Sequence, residues 1–246
     1  MDKSAIEKVL KEDLGVKKEL IALKPLKEIP NDISPYEGVA TPGLCSQVGE
    51  VILCSQVGEV IKEKQVFYTT RENHQCYEGL IATGVCEVSR EEYRKAIESF
   101  IENFPYHKDV ETAMSFYETC ITTIVPPTVE NKCLLVGPLS KINDPDLVLI
   151  FCTPKQADIL IRIEAYLGEL FKGFGGSGGC IFTVRQAFKT REPSFSTSDL
   201  SWRMFVGLNE NELTVTYPYE RLTEIAPHIK STSEYVNNFA SMFDNL

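Results

Sequence analysis

Leu147-Val148-Leu149-Ile150-Phe151-Cys152-Thr153-Pro154-Lys155-Gln156 is the stretch that decides the fold class. Its first six residues form an unbroken apolar run, the pattern of a strand covered on both faces. Thr153 supplies an N-cap oxygen, and Pro154 suits the first helical position, where its missing N–H costs nothing. Gln156, three residues after the cap, closes a capping box. A strand followed at once by a capped helix belongs to a layered protein in which helices pack on a sheet. Cys133-Leu134-Leu135-Val136-Gly137-Pro138-Leu139, just upstream, reads as a second strand of the same buried type. The expected fold is therefore α/β or α+β, a mixed sheet with flanking helices. It forms a single compact unit over residues 1–246, with 1–125 and 126–246 as candidate sub-lobes, because the pattern changes near residue 121.

Further out, Lys3–Leu14 sets Ile6, Val9, Leu10 and Leu14 on one helical face, and Glu19–Leu26 is a short strand bounded by Pro25 and Pro30. Gln65–Thr70 is another strand. Ser89 and Glu92 form a capping box ahead of Tyr93, Ala96, Ile97, Phe100, Ile101 and Phe104, which share one helical face. Asp109–Cys120 is the next helix. The helix opened by Thr153 is expected to run through Phe171 into the glycine-rich stretch Gly173-Phe174-Gly175-Gly176-Ser177-Gly178-Gly179-Cys180. Glu212–Tyr217 is the last strand, and a helix bearing Tyr235, Val236, Phe239, Met242 and Phe243 closes the chain.

Leu44-Cys45-Ser46-Gln47-Val48-Gly49-Glu50-Val51-Ile52 recurs unchanged as Leu53–Ile61. Nine residues advance an α-helix by about 900°, two and a half turns, and an odd spacing reverses the face of a strand. A continuous regular element therefore cannot aim Cys45 and Cys54 at one site. Cys54, in register with the downstream strand and Cys76, is the copy expected to serve it.

Asp and Glu outnumber Lys and Arg by 35 to 25, for a net charge of −10. Such a surface repels phosphate backbones and anionic headgroups, which argues against nucleic-acid and membrane partners. No apolar run approaches the ~20 residues of a membrane span. Met1–Lys8 carries charges with no apolar stretch behind them, so no secretory leader is expected and the cytoplasm is the default location. The eight cysteines then read as reduced thiols or ligands and not as a disulfide framework.

Four of those thiols, Cys86, Cys120, Cys133 and Cys152, lie on or beside apolar elements and are expected to be packing residues. The others sit where chemistry is accessible. Cys54 (alternative Cys45) lies near a helix start, Cys76 lies two residues after His74, and Cys180 follows the glycines. Thiolates in such places bind zinc or iron–sulfur clusters, or act as nucleophiles. No Cys-x-x-Cys pair is present, and no base partners a cysteine nucleophile in the sequence. The glycine stretch matches neither a phosphate-binding P-loop nor a dinucleotide fingerprint, since a helix precedes it. Its two readings are close backbone packing, or a cradle for an anionic or planar ligand built from Gly176, Gly178 and Gly179 with Arg185, Trp202 and Arg203 as a wall. Two functional classes follow. One is a protein binding a metal, iron–sulfur cluster or organic cofactor through Cys54, Cys76 and Cys180, with Cys45 and His74 as alternative ligands. The other is a non-catalytic small-molecule or regulatory module using the glycine segment; self-association is compatible with either.

The order of features resembles the prokaryotic domain of unknown function family 169. The residues that carry the resemblance are Phe67–Cys76, Gly79–Gly84, Pro145–Phe151 with Pro154 and Gln156-Ala157, Gly178-Gly179-Cys180, and Trp202–Leu208 through Glu212-Leu213 to Pro218-Tyr219. They span roughly residues 20 to 230. The resemblance implies a cytoplasmic protein of no established activity, with the family's cysteine positions falling on the Cys45/Cys54 helix, Cys76 and Cys180. It also implies a departure: Ser196 and Ser198 stand where relatives carry a further cysteine.

Overall fold

The computed structural model describes residues 1–37, 53–72, 79, 82–85, 89–103, 107–123, 131–173 and 175–243. Six strands form one sheet in the order β2-β3-β1-β4-β6-β5, with β1 Ile21–Leu26, β2 Phe67–Thr69, β3 Cys133–Pro138, β4 Leu147–Cys152, β5 Ser194–Ser196 and β6 Leu213–Pro218. Among the described residues every strand pairing is antiparallel, and the one parallel contact is the isolated bridge between Pro35 and Tyr68. A sheet with flanking helices is thus realised in its α+β form. β1 lies between β3 and β4 although it comes from the N-terminal fifth of the chain, so the candidate sub-lobes 1–125 and 126–246 share this sheet. Pro25 is tolerated there because β4 pairs with β1 only at Ile21, Ala22 and Leu23. Its missing N–H falls where one neighbour has already ended.

The two central strands expected to be covered on both sides are buried at every position. Period-two alternation divides them between two cores. Val148, Ile150 and Cys152 join a core with α1 (Lys3–Lys8), α5 (Pro154–Tyr166), α8 (Tyr219–Ile225) and α9 (Ile229–Phe243). Leu147, Leu149 and Phe151 join the opposite core with α2 (Leu53–Glu63), the turns Cys180–Arg185 and α7 (Leu200–Val206). Over this second core lie α3 (Arg90–Asn103) and α4 (Val110–Thr123), whose Tyr93, Ile97, Ala113 and Met114 close on Phe182. The short helix α6 is Gln186–Thr190.

Local signals are realised as chemistry. The Thr153 hydroxyl accepts the Gln156 N–H at 3.3 Å and the Gln156 side chain accepts the Thr153 N–H at 2.8 Å. Ser89 and Glu92 form the same reciprocal pair. The first helix follows the expected residues, with α1 passing into wider π turns over Val9–Asp13. α5 is shorter than expected and ends at Tyr166, not Phe171. Gly168 takes a left-handed φ of +84°, and the N–H groups of Leu167, Gly168 and Glu169 fold back onto carbonyls of the last turn. A glycine in that conformation stops a helix before the glycine-rich stretch is reached. Glu164, buried near the end of α5, receives the Arg221 Nε at 2.9 Å and so ties α5 to α8. Among the described residues, no helix is long and apolar enough to cross a membrane.

Candidate functional site

The second copy of the repeat is the body of α2, while the first lies outside the described residues. Gly58 explains how α2 docks. A Cβ there would come 2.0 Å from the Phe205 carbonyl oxygen, so the backbones of α2 and α7 cross in direct contact. Cys54 lies one turn before Gly58, and residues four apart share a helical face. Its side chain is buried in the same core as Trp202 and Cys180.

Cys180 opens a stretch of π turns, Cys180–Arg185, that follows Gly179 directly. Single π turns are uncommon and recur at functional sites. Arg185 is fully buried, and burial pushes its guanidinium below its ordinary value while leaving it protonated near neutrality. The Thr183 hydroxyl bonds the Gly179 carbonyl at 2.5 Å and fixes the start of the turn.

The glycine segment is held by aromatic rings. A Cβ on Gly179 would fall 2.0 Å from the indole Nε1 of Trp202, and one on Gly176 would fall 2.5 Å from Phe182. Gly178 lies against Phe182 and near the Asp199 carboxylate. Asp199 caps α7 by accepting the Trp202 N–H at 2.9 Å and also accepts N–H groups of Gly179 and Ser201. Burial raises the pKa of this carboxyl above its ordinary value, against the lowering effect of those donors. Arg203 points away from the core. Its guanidinium donates to the carbonyls of Ser198, Asn209, Thr197 and Glu212 and clamps two loops together. Ser196 and Ser198 are spent locally: Ser196 Oγ donates to the Ser177 carbonyl at 2.8 Å, and Ser198 Oγ pairs with Thr214 Oγ1 at 2.8 Å.

The named residues therefore separate. Cys54, Cys180 and Trp202 share the core on one face of the sheet, with Gly179 against the Trp202 ring, whereas Arg203 serves the loops beside it. Cys152 faces the opposite core, where burial and the Glu212 charge push its thiol up to about 12. Cys133 is also buried, and its thiol donates to the Glu28 carbonyl at 3.6 Å. Both are packing thiols, as expected. Cys45, His74, Cys76 and Cys86 lie outside the described residues, as does the Cys120 side chain. Among the described residues, no group of three or more His, Cys, Asp or Glu is arranged to hold a metal ion. The donors the described site offers are two thiols, soft ligands suited to zinc, copper(I) or iron–sulfur iron. Gln56 was not anticipated. It is buried on α2, its amide donates to Thr69 Oγ1 at 3.0 Å, and its carbonyl oxygen has no partner among the described residues. The indole N–H of Trp202 is likewise buried without one.

The fold is that of an α+β protein with two buried thiols, Cys54 and Cys180, in the core on one face of an antiparallel sheet. The chain belongs to domain of unknown function family 169, described as "Uncharacterised ArCR", whose profile matches residues 9–228. No curated protein and no solved structure matches the chain.

Proposed function

We propose that this chain is a cofactor-binding protein whose site lies between α2, the Cys180–Arg185 turns and α7, with Cys54 and Cys180 as thiolate ligands of a metal or iron–sulfur cluster and Cys76 as the third. The observation that carries this reading is the burial of Cys54 and Cys180 in one core on one side of the sheet, apart from Cys133 and Cys152. Arg185 supports it, because a buried guanidinium offsets the negative charge that thiolates bring out of water.

The test is anaerobic purification of the full chain, followed by metal analysis and an absorption spectrum. Stoichiometric metal is expected, with at least a two-fold loss in both Cys54→Ser and Cys180→Ser and little change in Cys152→Ala. A metal-free wild-type protein ends the reading. A second reading, a planar organic ligand at the same place, draws support from two buried polar atoms without partners among the described residues, Trp202 Nε1 and Gln56 Oε1. Native mass spectrometry separates the two, since an organic ligand adds a non-metal mass that Gln56→Leu removes.

A further inference from the structure

Between α5 and the outer strands β5 and β6 the fold leaves an apolar cavity of about 180 Å³. It lies on the opposite side of the sheet from Cys54 and Cys180, since Ala157, Leu160 and Val215 of its lining belong to the other core. Pro154, Ala157, Asp158 and Ile161 form one stripe of α5 along it, at the i, i+3, i+4 and i+7 spacing of a helical face. Val215 faces it from β6, and Phe195 stands beside Val215 in the β5–β6 register. Phe171, from the segment after α5, completes the wall, its ring 6.1 Å from that of Phe195. The floor at Ala157, Leu160 and Val215 is buried, whereas Pro154 and Ile161 are exposed at the mouth.

Both walls are fixed from behind. α5 is anchored by its capping box and by the Gln156 amide, which donates to the Leu14 carbonyl at 3.0 Å. β5 is anchored by Ser194 and Ser196, whose hydroxyls donate to the Phe182 carbonyl at 2.6 Å and the Ser177 carbonyl at 2.8 Å. Gly175 backs the Phe195 ring, because a Cβ there would come 2.9 Å from it. Neither wall closes the space without breaking these contacts. Voids larger than a water molecule are few in a protein interior and cost stability, so a cavity held open in this way fits a ligand better than a packing fault.

Size and charge identify the occupant. An apolar cavity of about 150 Å³ stays dry and takes up benzene, so this one suits a single ring and is too small for a helix about 10 Å across. The Phe171 and Phe195 rings offer a third ring the tilted and offset contacts that aromatic groups make best. Among the described residues that line it, Asp158 alone is charged, and Arg162 already neutralises it at 2.6 Å. The pocket leaves no unpaired charge for a ligand to match, and an ionic group entering it would lose its water without compensation.

We infer that this pocket binds an uncharged single-ring aromatic molecule. Toluene is the probe. Saturation-transfer NMR of the full chain is expected to show transfer to toluene, and about five-fold less to benzoate, the same ring carrying a charge. Ala157→Phe fills the pocket from its floor and Ile161→Glu sets a charge at its mouth. Each is expected to lower transfer to toluene about five-fold with unaltered circular dichroism. Ile161 is exposed, so the second variant reports even where the first fails to fold. No transfer in the wild type, equal transfer to benzoate, or transfer indifferent to Ile161→Glu overturns the inference. So does a sedimentation mass that falls from dimer to monomer in Ile161→Glu, which identifies a side chain of a second copy as the occupant.

Discussion

Single atoms decide much of this structure, and glycine shows it most directly. Gly179 and Gly168 both lie near the glycine-rich region, yet they are required for different reasons. At Gly179 the obstacle is space, because a Cβ would overlap the Trp202 ring. At Gly168 there is open space but a φ of +84°, so the obstacle is conformation. Gly179→Ala is expected to cost roughly 3 kcal/mol through overpacking and to perturb Trp202 fluorescence. Gly168→Ala is expected to cost about 1 kcal/mol through left-handed strain and to leave the fluorescence unchanged. Urea denaturation measures both. The sequence makes Thr153, Pro154 and Gln156 legible residue by residue because capping is local chemistry. It could not show that Cys152 faces away from Cys54, since the parity of a strand has meaning only once the two faces are occupied. The buried role of Gln56 was equally hidden, because the partner of its amide, Thr69, comes from β2 and not from its own helix.

At the scale of elements, α7 is short and is held by its cap. Its N-terminus depends on Asp199, whose buried carboxylate joins it to the glycine segment. Because the folded pKa of Asp199 is raised, its ionised form is less favourable in the folded chain than in the unfolded one. Its contribution to stability is therefore greatest below the ordinary aspartate value and declines as pH rises through the raised one. Asp199→Asn is expected to remove that decline, so that the unfolding free energy of the variant falls less than that of the wild type as pH rises above about 4. The opposite sign holds at α3. There the Ser89 hydroxyl and N–H hold Glu92 below its ordinary value, so the box is present at neutral pH and lost as pH falls through that depressed pKa. Elements with apolar periodicity and a cap were legible: β3, β4, α3 and α5 begin where their caps and apolar runs place them. β5 and α8 were not. Ser194-Phe195-Ser196 carries buried hydroxyls on its inward side, and Tyr219–Ile225 follows β6 with no break for a cap.

For the whole molecule, the antiparallel wiring was the least legible feature. A strand, a cap and a helix specify layers, but the direction of each strand depends on where the chain returns. β1 sits between β3 and β4, so the sheet cannot be divided at residue 125 without opening two central edges. A fragment covering residues 126–246 is expected to be insoluble or to lack a cooperative unfolding transition, as monitored by near-ultraviolet circular dichroism. Co-expression with residues 1–125 is the corresponding rescue.

That central placement of β1 also has a consequence for biosynthesis. β1 leaves the ribosome before both flanking strands, and its first partner, Cys133–Pro138, is translated on the order of 100 residues later, a delay of about 10 s at ordinary elongation rates. Throughout that interval Ile21, Ala22 and Leu23 have neither flanking strand to pair with. Slowing translation between residues 26 and 133 is therefore expected to lower soluble yield more than slowing it after residue 152.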